Sequence, residues 1–286
     1  MQYGPAVRRR KLGAELRSLR ARAGLTSGQA AGLVGWHQSK VSRIETGSSG
    51  VKPPDVRLLL DVYGVEDPEL RELLLVLAGS DDGGVRQNWW HAYRGVLPPT
   101  YRDFISLESQ ASAMRTLETS VVPGLLQTPE YARAVTRAAV GSVEDAKLDT
   151  LVEVRLARQD VLRSNPPLEL TAVLDEAVLR REVGGPEVMT QQLERLLEAA
   201  KLPQVRLQVL PFAAGAHIGI TGPFVIFSFP SRSDLDVVVL DHLTSSLYLE
   251  RKEDLQAYSE AFDTLRFHAL SPKDTLDYIA ALGDGS

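Results

Sequence analysis

Gln38, Ser39, Lys40, Ser42 and Arg43 lie within six consecutive positions, and every one of them can donate a hydrogen bond. Interleaved with them, Val41 and Ile44 stand three positions apart, the spacing of one helical face. The pattern predicts a helix from about His37 to Thr46, stopped by Gly47, with Val41 and Ile44 turned inward and the polar side chains outward. Such a face can read base edges in a major groove. Gln pairs bidentately with adenine and Arg with guanine, each good pair being worth about 1–3 kcal/mol of discrimination. An ordinary solvated helix face carries a similar polar stripe, so the elements around it matter.

The stretch before it supplies a partner. Thr26 is a good N-cap for a short helix that buries Ala30, Ala31 and Val34. Gly35 permits a tight turn, and Trp36 fills the space between the two helices. Further out, Leu12, Leu16 and Leu19 share a face of a helix that Gly24 ends. Val56, Leu59, Leu60 and Tyr63, and then Leu70, Leu73, Leu74 and Leu77, repeat at helical spacing. Charge is distributed to match: residues 1–57 hold eleven Lys/Arg against three acids, +8, although the whole chain carries −5, which leaves −13 for the remainder. A basic end steers toward phosphate, and an acidic remainder is repelled by it.

Over about residues 8–79 the chain resembles the Xre/lambda-repressor-like helix-turn-helix family. The resemblance is carried by the Leu25-Thr26 entry, Ala31, Gly35, and the run from Gln38 to Glu45 followed by Gly47. It implies Gln38, Ser39 and Arg43 at base edges, Lys40 and the loop Lys52 near phosphates, and a structural ion pair between Arg20 and Glu45. The sequence departs from the family at two positions. Ser27 stands where many members carry a Gln that helps to clamp phosphate, which weakens the contact implied there. His37 stands where Ser or Thr usually caps the reading helix. Two outcomes stay open for it: a local cost of about 1 kcal/mol, or a direct touch of His37 on the duplex.

The expected organisation is a helix-turn-helix domain at 1–80, a linker and connecting helix at 81–104 with the polar, Gly-rich Ser80–Gly84 as its loosest part, and a larger domain at 105–286. Helical periodicity fits roughly 105–120, 129–140, 145–163, 187–201 and 252–269, with Met189, Leu193, Leu196, Leu197 and Ala200 as a buried stripe. Strand patterns occur at 168–174, 204–210, 224–229, 237–240 and 247–249, and the alternation at 204–210 predicts a half-buried strand. The fold class is therefore an all-α domain of about five helices followed by an α+β domain with a small mixed or antiparallel sheet.

Several blocks of the larger domain occur in order: Trp89-Trp90, Tyr101, Leu107-Glu108, Val122–Arg133, Glu153–Gln159, Leu174–Ala177, Gln192–Leu196, Val209–His217 and Gly222–Phe224. Over about residues 87–272 they are similar to the C-terminal domain of the actinobacterial Scr family of antitoxin-like transcriptional regulators (WhiJ-like). The resemblance implies an architecture and a neighbouring gene for a small partner protein. It does not imply a chemistry. The stretch 234–246 departs from that family, with Leu240-Asp241-His242 where a Tyr-Val-Glu type is common.

Other constellations are weaker. Asp241, His242, Ser245 and Ser246 offer triad-like types, but no Gly-x-Ser-x-Gly elbow accompanies them, and a strand-end turn accounts for them. Gly215, Gly219 and Gly222 lie between two strands rather than between a strand and a helix, as a hairpin loop does and a phosphate cradle does not. His37, His91, His217, His242 and His268 show no metal-ligand spacing. For Trp89 and Trp90, packing competes with an apolar ligand pocket. For Arg155 and Arg158, ion pairs with Glu153 and its neighbours compete with an acidic partner. No enzyme chemistry, metal or cofactor is expected.

Zero cysteines exclude disulfides, thiolate nucleophiles and cysteine-held metals. No apolar run approaches the ~20 residues of a membrane span, and no apolar segment follows the basic Arg8–Lys11, so a cytoplasmic protein is expected. With 44% hydrophobic residues, 286 residues suffice for two packed cores. The expected function is a sequence-specific transcriptional regulator of double-stranded DNA. It acts as a homodimer, because one helix reads only a few base pairs, and its acidic domain takes input from a small protein or ligand. The alternative is an antitoxin-like protein that neutralises its small partner and binds DNA only for autoregulation.

Overall fold

The computed structural model describes residues 4–78, 89–93, 95–229, 236–242 and 245–284. The chain divides into two compact units, Met1–Ala92 with Pro98–Ser106, and Tyr93–Leu97 with Leu107–Ser286. The first part of the expected linker, residues 81–88, lies outside the described residues. No helix among the described residues is long and apolar enough to cross a membrane.

The first unit contains α1 (Gly4–Arg22), α2 (Ser27–Leu33), α3 (Gln38–Glu45), α4 (Pro53–Val62) and α5 (Pro68–Leu77). Leu12 and Leu16 of α1, Ile44 of α3, Leu59 and Leu60 of α4 and Leu74 of α5 are each 2% exposed or less. Burying each such side chain contributes about 1.5–3 kcal/mol, so short helices that would be marginal alone persist through packing.

After α6 (Pro99–Glu108), the second unit is built on β1 (Ala113–Glu118), β2 (Glu169–Asp175), β3 (Val205–Leu210), β4 (Phe224–Ser228), β5 (Val237–Asp241) and β6 (Ser246–Leu249). They form one six-stranded sheet in the order β3-β2-β1-β4-β5-β6. The β3-β2-β1 half is parallel and the β1-β4-β5-β6 half antiparallel, so the expected α+β class is realised with a mixed sheet. The parallel crossovers run through α7 (Pro129–Val140) with α8 (Asp145–Ala157), and through α9 (Glu176–Arg180) with α10 (Pro186–Ala199). On one face Leu117, Val173, Leu210, Phe224, Ile226 and Val238 close a core with Phe262 and Leu265 of α11 (Lys252–His268). The chain closes with α12 (Pro272–Asp284), whose Thr275 accepts the Val209 amide.

Three expectations about this unit change. The helix at 105–120 is two elements: α6 ends at Glu108, and 113–118 is the central strand β1. Met114, Thr116 and Leu117 are all buried, so β1 has no polar face to show a two-residue period. The strand β3 is buried at every position except Arg206, because Gln208 turns inward to donate to the Arg266 and Leu270 carbonyls. In α10 the buried stripe is Met189, Gln192, Leu193, Leu196 and Ala199, with Gln192 and Ala199 replacing Leu197 and Ala200.

Gln192 is buried for a reason. The irregular segment 122–128 runs through the interior, where its backbone polar groups need partners. Gln192 donates to the Leu126 carbonyl and accepts from the Thr128 amide, both at 2.8 Å. Gln127 donates to the Val122 carbonyl, Gln159 donates to the Gln127 carbonyl, and the Val122 amide donates to the Tyr131 hydroxyl. Beside them Arg158 holds Glu108 bidentately at 2.8 and 2.6 Å, with side chains 6% and 1% exposed. Gly124 lies against this guanidinium, where an added Cβ would sit 3.4 Å from Nη1. Removing one partner of such a pair leaves a lone buried charge. Glu108→Ala should therefore lower the stability of the full chain by about 3–5 kcal/mol. Arg133→Ala, which opens only the exposed pair with Asp149, should stay within about 0.5 kcal/mol. Urea denaturation of both variants checks the contrast.

At the end of β1, burial pushes the Glu118 carboxyl up to about 7; the Thr116 hydroxyl, Arg155 and Arg158 oppose this, and Asp241 adds to it. The folded chain thus holds this proton more tightly than the unfolded chain. Its stabilising contribution is full below pH 4.5 and is lost as pH rises through about 7. Glu118→Gln keeps an acceptor for Thr116 without the charge. It should be more stable than the parent at pH 8 by on the order of 1–3 kcal/mol, with little difference at pH 4.5. Denaturation curves at the two pH values decide it.

Candidate nucleic-acid interface

Thr26 starts α2 through a reciprocal cap. Its hydroxyl accepts from the Gln29 amide at 3.2 Å, while its own amide donates to Gln29 Oε1 at 2.8 Å. Ala30 and Ala31 are buried, whereas Val34 is only half-buried. The chain then reverses at Gly35, whose φ of 71° is the left-handed region that glycine tolerates. The Trp36 amide donates to the Ala31 carbonyl at 2.8 Å and closes the turn.

His37 caps α3 with a side chain not usual there. Its Nδ1 accepts from the Ser39 amide at 3.3 Å and lies 2.8 Å from Ser39 Oγ. Val41, Ile44 and Glu45 are buried, while Gln38, Ser39, Ser42 and Arg43 are exposed along one side of the helix. Gln38 Nε2 donates to Ser27 Oγ at 3.1 Å, which joins the first residues of α2 and α3 and fixes the carboxamide. At the far end the Thr46 hydroxyl donates to the Ser42 carbonyl at 2.9 Å, so this terminus meets one of its own carbonyls.

Two contacts hold α3 from behind. Arg20 of α1 meets Glu45 through Nε–Oε1 at 2.7 Å and Nη2–Oε2 at 2.8 Å, and donates from Nη1 to the Leu25 carbonyl at 2.6 Å. One guanidinium thereby ties α1, the loop before α2 and the end of α3. Burial, and then the charge of Glu45, push the neighbouring Tyr63 hydroxyl well above its ordinary range. The second contact is Gly13, where an added Cβ would lie 2.4 Å from the Ile44 carbonyl oxygen and 2.7 Å from that of Glu45. Only glycine permits this approach.

Lys40 and Lys52 do not occupy equivalent positions. Lys40 Nζ lies 3.0 Å from Asp55 Oδ2 and 3.5 Å from the centre of the Trp36 ring, a salt bridge and a cation–π contact together. It braces α3 against α4 within the unit. Lys52 is exposed at the N-cap of α4 and makes no side-chain cap bond. Ser27 is half-buried and engaged by Gln38. Sequence reasoning passed over Gln29, Gly13 and Asp55. Gln29, three residues after Thr26, is the capping-box spacing and was readable. Gly13, alone inside a helical pattern, signals close packing. For Asp55 no local signal exists.

The weaker constellations take ordinary places. Asp241 ends β5, and the His242 amide donates to the Ser245 carbonyl at 2.9 Å. Trp89 and Trp90 meet edge to face at 5.9 Å, with Trp90 buried. Arg158 pairs with Glu108, Arg155 donates to Gln127, and Glu153 accepts from the Tyr93 hydroxyl. Among the described residues no group of three or more His, Asp or Glu is placed to hold a metal ion.

The α2–turn–α3 geometry defines a helix-turn-helix, and a model described as a helix-turn-helix domain matches residues 11–74. Residues 11–74 are thus a helix-turn-helix domain, which suggests a DNA-binding regulator. A second model, the domain of unknown function DUF5753, matches residues 101–281, more than half of the chain, and the protein belongs to that family. No curated protein and no solved structure matches the chain.

Gly13→Ala separates packing from helix propensity. Propensity alone makes the change stabilising by about 0.5–1 kcal/mol. The clash with two α3 carbonyls should instead destabilise by about 1–3 kcal/mol and displace α3. The sign of the change in denaturation midpoint gives the answer.

Proposed function

We propose that the protein is a sequence-specific DNA-binding transcriptional regulator that inserts α3 into the major groove. It acts as a dimer and takes its input, a small protein or ligand, through the sheet-containing domain. The observation that carries this reading is the division of α3 itself: Gln38, Ser39, Ser42 and Arg43 stand exposed on one side, while Val41, Ile44 and the Arg20–Glu45 pair fix the other. Gln38, held through one amide hydrogen by Ser27, keeps its carbonyl and second hydrogen for an adenine edge. Arg43 supplies the fork that suits guanine. Lys52, exposed at the N-cap of α4, meets phosphate, while Lys40 acts as a brace. The net +8 of residues 1–57 supplies attraction to the backbone, and the −13 of the remainder keeps DNA at that basic stretch. The protein acts by binding rather than by catalysis. A monomer reading with a single short helix gains too little discrimination, and two half-sites supply the rest.

Selecting bound fragments from genomic DNA and footprinting them tests this. Gln38→Ala and Arg43→Ala should each cost about 1–3 kcal/mol of discrimination. Together they should erase the specific footprint while far-UV circular dichroism and weak salt-sensitive binding persist. A specific footprint that survives the double substitution assigns the reading to another element.

A further inference from the structure

The longest uncharged run in the chain is residues 207–231, 25 positions without Asp, Glu, Lys or Arg. Its middle is the loop between β3 and β4, and there the apolar side chains point outward. Phe212 is 58% exposed, Ile218 51% and Ile220 70%. Ala213, Ala216 and Pro223 on the same loop are exposed as well. Single exposed apolar residues are ordinary, but a contiguous set marks an interaction surface.

The loop is also pinned. The Phe212 amide donates to Glu176 Oε2 at 2.8 Å, and His217 Nε2 stands 3.8 Å from Asp175 Oδ2. Gly219 is buried so tightly that an added Cβ would lie 2.7 Å from Leu117 Cδ2. Short turns close within it, Gly215 to Phe212 at 3.1 Å and Gly222 to Gly219 at 3.1 Å. A loop held in this way presents its apolar side chains at little ordering cost to a partner.

We infer that this loop is where two copies of the chain associate through their sheet domains. The inference rests on the dimeric part of the function proposed above. Charge decides the occupant. Two-fold association sets the same patch against itself, so a patch of one sign meets its own sign. The sheet unit carries 18 Lys/Arg against 26 Asp/Glu, a net −8, so its acidic stretches are disfavoured in self-contact. The loop is uncharged and apolar and therefore complements itself, and it has no cations with which to hold an acidic partner or an anionic lipid surface.

The test uses the full chain without DNA. Sedimentation equilibrium at micromolar concentration should return a dimer mass for the parent and a monomer mass for Ile218→Asp/Ile220→Asp, with dimer affinity lowered by at least ~100-fold. Because the chain has no cysteine, Ile220→Cys gives a second readout that keeps the surface apolar. Mild oxidation should link Ile220→Cys chains in pairs but leave Val140→Cys chains single. A monomeric parent overturns the inference and assigns the loop to a different partner. So does a double-Asp variant that stays dimeric, or an Ile220→Cys chain that links no better than the control. Since no DNA is present, a failure of α3 to read DNA leaves these outcomes unaffected, and the two claims fail separately.

Discussion

The bidentate contact between Arg20 and Glu45 is the constraint on which the exposed polar face of α3 depends. The helix α3 is eight residues long, too short to hold itself in water, and it exposes polar side chains along half its surface. Its position is imposed from the buried side. Val41 and Ile44 supply contact area, but apolar contact alone lets a short helix slide or rotate. The Arg20 fork fixes Glu45 in two dimensions, and Gly13 lets α1 come close enough for that fork to reach. The third guanidinium bond, to the Leu25 carbonyl, extends the same anchor to the start of α2. Gln38 is consequently aimed by groups a full helix length away from it.

The sheet domain solves a different problem by similar means. Its segment 122–128 is irregular yet buried, and three glutamines and a tyrosine replace the backbone partners that a helix or strand would supply. Those residues lie in the blocks 122–133, 153–159 and 192–196, which makes these blocks parts of one internal hydrogen-bond network. The Glu108–Arg158 pair and the strongly desolvated Glu118 lie in the same domain, so its interior is polar at several points. Such an interior specifies one packing arrangement closely, at a cost in stability wherever a group is left charged.

How far the sequence foretold this varies with the range of the interaction. The helices α1 to α5 were legible because each shows one apolar face against solvent, and the polar and buried sides of α3 follow from residue spacing alone. The strand β1 was not legible, since burial on both sides erases the alternation that marks a strand. Lys40 shows the same limit at the candidate site. As a type it reads as a phosphate contact, yet Asp55, 15 residues on, and Trp36 claim it first. No periodicity couples Arg20 to Glu45 across 25 residues either; only likeness to a family does. Local pattern locates helices and their faces, while the partners of charged side chains are decided by tertiary contact.

The central claim is that α3, held from behind, is the surface that meets DNA. Hydrogen–deuterium exchange on the full chain, with and without a selected genomic fragment, addresses it directly. Protection on binding should concentrate in Ser27–Leu33 and Gln38–Glu45, and should leave the amides of β1, β2 and β3 unchanged. Protection confined to the sheet domain, with α2 and α3 exchanging as in the free chain, would contradict it.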